Sequence, residues 1–269
     1  MTEIIYFHTS STTGTFMKKI FLLLILFSKV LPAFNQAGAK TGEAFYMLDE
    51  NFKGTTQQKA KYFSHAEKIG DSCWQYDIYN INGPIISSEQ YKDEKGQLAE
   101  GAFYYYNKKG TIDSTGSYKN GFQQGTWYFI NEKGIYILQK EYESGDLIST
   151  KDLTKKNDST DKKKEKKSVR DEKESVFPGG VQAWTTYLSS NMVYPQRAQN
   201  LVKQGTVVIQ FIVDKKGYVI SPAISQSIEF SIDQEALRLI KQSPVWTPAM
   251  QDGKIVKSYK KQPITFRLE

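Results

Sequence analysis

Cysteine and histidine are nearly absent from this chain of 269 residues: one of the first, Cys73, and two of the second, His8 and His65. A lone thiol closes no intramolecular disulfide, and Cys73 lies too far along the chain to be a lipidated bacterial N-terminus. Beside Trp74 it reads as a half-buried bystander. His8 falls ahead of the expected mature N-terminus, so a single histidine remains and no Cys/His or multi-histidine metal site can form. His65 itself, in the polar stretch 61–68, is expected to be an ordinary surface residue. Equally missing are a serine nucleophile elbow, a Gly-rich phosphate loop and the order H-E-x-x-H. Asp171 and Glu172 sit in a charged run where burial cannot tune their pKa values. Asp214 and Asp233 are explained by a turn and a helix start. The expectation is a protein that is not an enzyme and uses no cofactor or metal. Carboxylates dispersed along the middle of the chain leave a site assembled in three dimensions as the open alternative.

Long apolar runs are lacking as well. A membrane-spanning helix takes about 20 apolar residues, whereas the run from Ile20 to Phe27 is about eight long and is followed by Lys29 and Pro32. Met17, Lys18 and Lys19 precede it, and Ala37, Gly38 and Ala39 offer small residues for a signal peptidase. We expect a secretory signal over residues 1–39, with 1–16 an over-called start and the mature chain beginning near Lys40. The alternative is an uncleaved anchor in the inner membrane.

What the chain does have is a repeat. Gly101, Gly110 and Gly121 return as Gly125, Gly134 and Gly145, 24 residues later each time. Residues 100–106 likewise return as the aromatic stretch 124–130, and Tyr118-Lys119-Asn120-Gly121 as Tyr142-Glu143-Ser144-Gly145. A looser copy begins near Trp74. Each unit reads as strand, Gly turn, strand, Gly turn, so residues 40–150 are expected to be an all-β array of stacked hairpins. The pattern resembles MORN-type repeats. Phe103, Tyr105, Trp127 and Phe129 are expected to be the glue between hairpins, because one hairpin cannot bury its own face; a ligand-stacking surface is the other reading.

Residues 151–176 form a linker of interleaved Lys/Arg and Asp/Glu, without proline and almost without apolar residues. Such a composition cannot offset its ordering entropy and is expected to be a disordered tether. A flexible chain of 23 residues (152–174) typically spans about 25–30 Å. The net charge of +7 does not indicate nucleic acid, since the acids break up any single-sign field and the chain is expected to be secreted.

Residues 177–269 carry the most specific signal. Thr206 to Val213 alternate, with Val207, Ile209, Phe211 and Val213 on one face. Asp214 to Gly217 make a hairpin turn, and residues 218–224 a return strand. Ser231 followed by Gln234 fits a capping box, with Ile232, Ala236, Leu239 and Ile240 on one helical face. Pro244 and Pro248 lead to a last strand at 254–268. Val181, Trp184, Tyr187 and Leu188 suggest a helix, and 196–202 another that begins at Pro195. The fold class expected is α+β, a three-stranded antiparallel sheet with helices on one face.

The ordered set Phe177-Pro178-Gly179-Gly180, Tyr194-Pro195, Ala198, Gly205, Asp214, Gly217, Trp246-Thr247-Pro248-Ala249, Gly253 and Pro263-Ile264-Thr265-Phe266 resembles the C-terminal domain of TonB, over roughly 90 residues. That resemblance implies a periplasmic protein whose domain meets the short N-terminal box of an outer-membrane TonB-dependent receptor, or another envelope protein, by β-strand addition. It implies an inner-membrane energising complex as a further partner. Carried over, the partner-binding residues are Val193, Tyr194, Pro195, Gln196, Arg197 and Ala198 together with Ser258, Tyr259, Lys260, Lys261 and Gln262. Val193 departs from the family, where glutamine precedes Tyr-Pro. The short tether departs too. A homodimer through the edge strand stays open, as does a second role: a non-energised envelope scaffold whose hairpin repeats carry the binding surface.

Overall fold

Glycine-bearing tight turns and aromatic-rich strands alternate from residue 42 onward, and they fold back and forth without a crossover. The computed structural model describes residues 42–155 and 172–268, so the expected signal and residues 156–171 lie outside them. Nine antiparallel strands follow one another in one sheet, each beside its sequence neighbour: β1 (Glu43–Leu48), β2 (Tyr62–Gly70), β3 (Cys73–Asn80), β4 (Ile85–Tyr91), β5 (Ala99–Tyr106), β6 (Ile112–Lys119), β7 (Phe122–Ile130), β8 (Tyr136–Glu143) and β9 (Asp146–Asp152). The 24-residue period is visible atom by atom. Asn107 Oδ1 accepts from Lys109 N at 2.9 Å, and Asn131 Oδ1 from Lys133 N at 2.9 Å. Asn120-Gly121 and Ser144-Gly145 each take two successive positive φ angles, 50° and 85°, then 51° and 93°, the geometry that matches a two-residue turn to strand twist.

Phe103, Tyr118, Trp127 and Tyr142 pack ring against ring across successive strands, at 4.5, 5.5 and 6.4 Å between centroids. Trp127 also lies over Gly116, where a Cβ would fall 2.1 Å from the indole. The aromatic row is therefore inter-strand glue, as the repeat pattern implies.

The C-terminal region contains α1 (Gly180–Asn191), α2 (Gln196–Asn200), β10 (Gly205–Val213), β11 (Val219–Gln226), α3 (Phe230–Lys241), β12 (Ala249–Gln251), β13 (Lys254–Val256) and β14 (Ser258–Phe266). A three-stranded antiparallel sheet has the order β11-β10-β14. Val207, Ile209, Phe211 and Val213 are buried, and so are Ile232, Ala236, Leu239 and Ile240 of α3, as their periodicities require. Gly217 holds φ at 88°, and a Cβ there would meet Trp246 O at 2.1 Å.

Three details differ from the sequence expectation. The last strand is two, because residues 249–256 first close the small β12–β13 hairpin. The cap of α3 is Glu229, whose Oε1 accepts from Ile232 N at 2.9 Å, and Ser231 donates to that carboxylate instead of capping the helix itself. His65 is buried, not on the surface, because its ring is held between Phe45 (4.8 Å) and Phe230 (5.1 Å). Phe230 comes from the other sheet's helix, a contact that local polarity cannot announce.

Phe230 belongs to a seam that joins the two halves. Its ring stands edge-on to Phe45, Phe63 and Tyr79 at 5.6, 5.3 and 5.3 Å. Tyr106 Oη donates to Ile224 O (2.8 Å), Ser227 N to Gly110 O (2.9 Å), and Ile85 N to Ser227 Oγ (3.0 Å). Buried Asp233 accepts from Tyr79 Oη at 3.2 Å and from Ser227. The ends of the charged stretch are also engaged: β9 runs to Asp152, and Lys173 N and Val176 N donate to Met250 O and Thr247 O at 2.9 and 3.1 Å.

Candidate functional site

Backbone direction decides which groups of a strand a partner can reach. Asp214 N donates to Tyr218 O at 2.9 Å across the β10–β11 turn. Even-numbered positions of β10 therefore aim their backbone groups at β11, and odd-numbered ones at β14. The β10–β14 register is unbroken from Gly205↔Phe266 to Val213↔Ser258. Ser258, Lys260, Gln262 and Ile264 consequently bond to β10, while Tyr259, Lys261, Pro263 and Thr265 turn outward. Pro263 has no N–H to give, so its outward position is the one a sheet tolerates. Among the described residues β14 pairs with β10 alone, which leaves an open edge with amides at Tyr259 and Lys261. The opposite edge is partly occupied, since Thr111 bridges Gln226 of β11.

Lysines 254, 257, 260 and 261 give this edge a basic character. Lys260 reaches back to Glu174 at 3.0 Å, and Ser258 Oγ bonds Ser175 Oγ at 2.7 Å, so these two side chains serve the fold. Tyr259 and Lys261 are exposed. Tyr259 stands 60 % exposed, with its phenol pushed up to about 12 by partial burial and by the neighbouring Tyr104 and Tyr136.

Residues 193–198 occupy the other end of β14. Tyr194 meets Phe266 edge-on at 5.9 Å and donates to Lys203 O. Gln262 is four residues from Phe266, about 13 Å at ~3.3 Å per residue, so the two predicted regions flank one edge instead of forming one patch. Val193 is 65 % exposed, though its N–H is tied to Glu235 Oε1 at 2.8 Å. Pro195 precedes α2 as its cap, and exposed Gln196 bonds Asn200 at 3.0 Å. Ala198 is fully buried. Arg197 pairs with buried Glu229 at 3.2 Å, donates to Ile81 O, and lies 5.6 Å over the Phe63 ring. Its guanidinium is a clamp between the halves, which single-sequence reasoning had no means to see. Pro263, by contrast, was a legible marker of an edge strand that the sequence reading did not use.

Two carboxyl groups with raised pKa values, Glu89 and Asp233, lie in packed surroundings. Burial raises the Glu89 carboxyl, whose Oε2 accepts from Tyr91 Oη at 2.6 Å, and burial raises Asp233. Among the described residues no three His, Cys, Asp or Glu side chains converge as a metal site, and no helix is long and apolar enough to cross a membrane.

No curated protein and no solved structure matches the chain significantly. Residues 190–268, which hold β10, β11, α3, the 193–198 segment and the open edge of β14, match the family model described as Gram-negative bacterial TonB protein C-terminal, so the C-terminal region is a TonB-like domain.

Proposed function

We propose that this is a periplasmic envelope protein whose TonB-like domain captures an extended segment of an outer-membrane receptor by adding it to β14, in support of energised transport. The observation that carries the reading is the open β14 edge, with outward amides at Tyr259 and Lys261, inside the stretch that matches the TonB family. Backbone pairing supplies affinity, and pockets for alternate side chains supply register. The partner-binding residues in this reading are Tyr259 and Lys261, assisted at the far end by Val193 and Gln196.

Proline substitutions test it. Lys261→Pro removes an outward N–H, and the protein is expected to melt like the parent while losing about tenfold or more in affinity for a receptor N-terminal peptide. Lys260→Pro removes a bond to Phe211 of β10 and is expected to lower the melting temperature. A Lys261→Pro protein that folds and binds as tightly as the parent sinks strand addition at this edge.

A second reading, a docking scaffold without force coupling, is favoured by β9. That strand is exposed at every residue and, among the described residues, pairs with β8 alone. The N-terminal mass of the protein from membrane and soluble fractions separates the two. Retention of Met17 to Phe27 in the membrane fraction supports energised transport, and a mature start near Lys40 supports the scaffold.

A further inference from the structure

The two ends of the C-terminal sheet differ in what they meet. Toward the end where Gly205 pairs with Phe266, the domain joins the other half, with Ser227 N bonded to Gly110 O and Phe230 in the seam. At the end where Val213 pairs with Ser258, several short segments are drawn together instead. Trp246 N donates to Gly217 O at 2.9 Å, which sets Val245 against the β10–β11 turn; a Cβ on Gly217 would fall 2.7 Å from Val245 Cγ1. Lys173 and Met250 exchange both backbone bonds, at 2.9 and 2.8 Å, and Met250 faces Ile255 across the β12–β13 hairpin. Lys257 directly precedes β14. Lys173, Lys215, Lys216, Lys254 and Lys257 are exposed here, and no described acid forms an ion pair with any of them. Among them stand three exposed apolar side chains, Tyr218 (56 %), Val245 (49 %) and Ile255 (49 %). Of the acids at this end, Asp214 is turned into its own loop, accepting from Lys216 N at 2.8 Å and Tyr218 N at 2.9 Å, and Glu174 is neutralised by Lys260. Glu172 and Asp252 leave the balance basic.

We propose that this end of the domain is a docking surface for a bilayer rich in anionic phospholipid. Two observations favour a lipid surface over an acidic protein segment. The lysines come from separate turns and strand ends, so each gains from a negative surface potential without a fixed partner. The apolar side chains lie in or beside the same turns, where insertion at the boundary between headgroups and acyl chains buries them. Lysine stems and a tyrosine ring, each apolar with a polar tip, suit that boundary. The contact goes beyond the strand-addition reading and stands without it. Its consequence for that reading is positional. Tyr259 and Lys261 lie one and three residues inside this end of β14, within about 10 Å. A docked domain therefore holds its open edge beside the bilayer, where a membrane receptor presents its segment.

The test is flotation of the full chain with phosphatidylcholine vesicles that contain about 30 % phosphatidylglycerol, beside vesicles of phosphatidylcholine alone. The parent is expected to favour the anionic vesicles by about tenfold or more. Lys215→Glu with Lys254→Glu is expected to lose that binding. Lys108→Glu with Lys133→Glu makes the same change of charge in two exposed turns of the repeat sheet and is expected to bind like the parent. Val245→Ser with Ile255→Ser is expected to weaken binding about fivefold or more, since the buried apolar area is lost while the charge is kept. Thermal melts accompany each variant, and should the serine pair melt early, Ile255→Ser alone carries the comparison. A parent that floats with neither vesicle, or equally with both, overturns the proposal. So does a Lys215→Glu, Lys254→Glu protein that binds like the parent, or a repeat-sheet control that loses as much. A serine variant that binds fully while the lysine variant does not would make the surface purely electrostatic, a site for an acidic protein segment, and would overturn the membrane contact.

Discussion

Asp233 is fully buried at the start of α3, where Tyr79 of β3 and Ser227 converge on its carboxyl. Burial pushes its pKa up to about 8 from 3.8, and the donors Ser227, Ile228 N and Tyr79 only partly offset that. A folded-state pKa above the unfolded one means that the folded state binds the proton more tightly. The stability contributed by this group is full below pH ~4 and is lost as the pH rises to about 8, at up to about 1.4 kcal/mol per pH unit. Asp233→Asn mimics the protonated carboxyl and is expected to flatten that slope. Denaturant melts at pH 5, 7 and 8.5 check it, and parallel profiles for the two proteins would contradict the assignment. Asp233 was legible as a helix-start residue. Its burial was not, because Tyr79 is 154 positions away in the chain.

At the scale of elements, β14 combines an open edge with features that restrain it. Lysine on the edge and proline within it discourage indiscriminate pairing. Pro263 interrupts the outward row of amides between Lys261 and Thr265, so that the continuous stretch on offer is Tyr259–Lys261. Pro263→Thr restores an outward N–H and lengthens the pairing edge. The variant is expected to fold and to self-associate more strongly, read as a concentration-dependent rise in mass by analytical ultracentrifugation. An unchanged monomer–dimer balance would show that Pro263 does not limit edge pairing. The alternation of residues 206–213 and the period of α3 were plain in the sequence, since burial on one face imposes them. The β12–β13 hairpin was not, for it is three residues a side and buries little.

At the scale of the whole molecule, the two halves touch through much more than their connecting segment. Aromatic contacts around Phe230, the Arg197 clamp and the Asp233 network cross one seam. A protease site inserted between residues 156 and 171 is therefore expected to yield two fragments that still elute together after cleavage. Phe230→Ala removes the ring at the centre of the seam, at a cost of about 2–4 kcal/mol. The nicked variant is expected to separate on size exclusion. Fragments of the nicked parent that separate freely would mean that the seam does not hold in solution.

The sequence by itself determined the elements and their local chemistry. Residue periodicity set the faces of β10 and α3, and the 24-residue recurrence set the hairpins from β5 to β9. Turn glycines did their work at positions where only positive φ fits. The ordered motifs at the C-terminus pointed to the TonB-like domain. These features are legible because each depends on neighbours a few residues apart. Only the tertiary structure decided that His65 is buried, that Arg197 is spent on Glu229 and Ile81, and that Tyr106 donates to Ile224 O. Each of those facts needs two segments more than 30 positions apart to meet. Which segments meet is set by how the two sheets bury their remaining apolar faces against each other, and no local pattern records that.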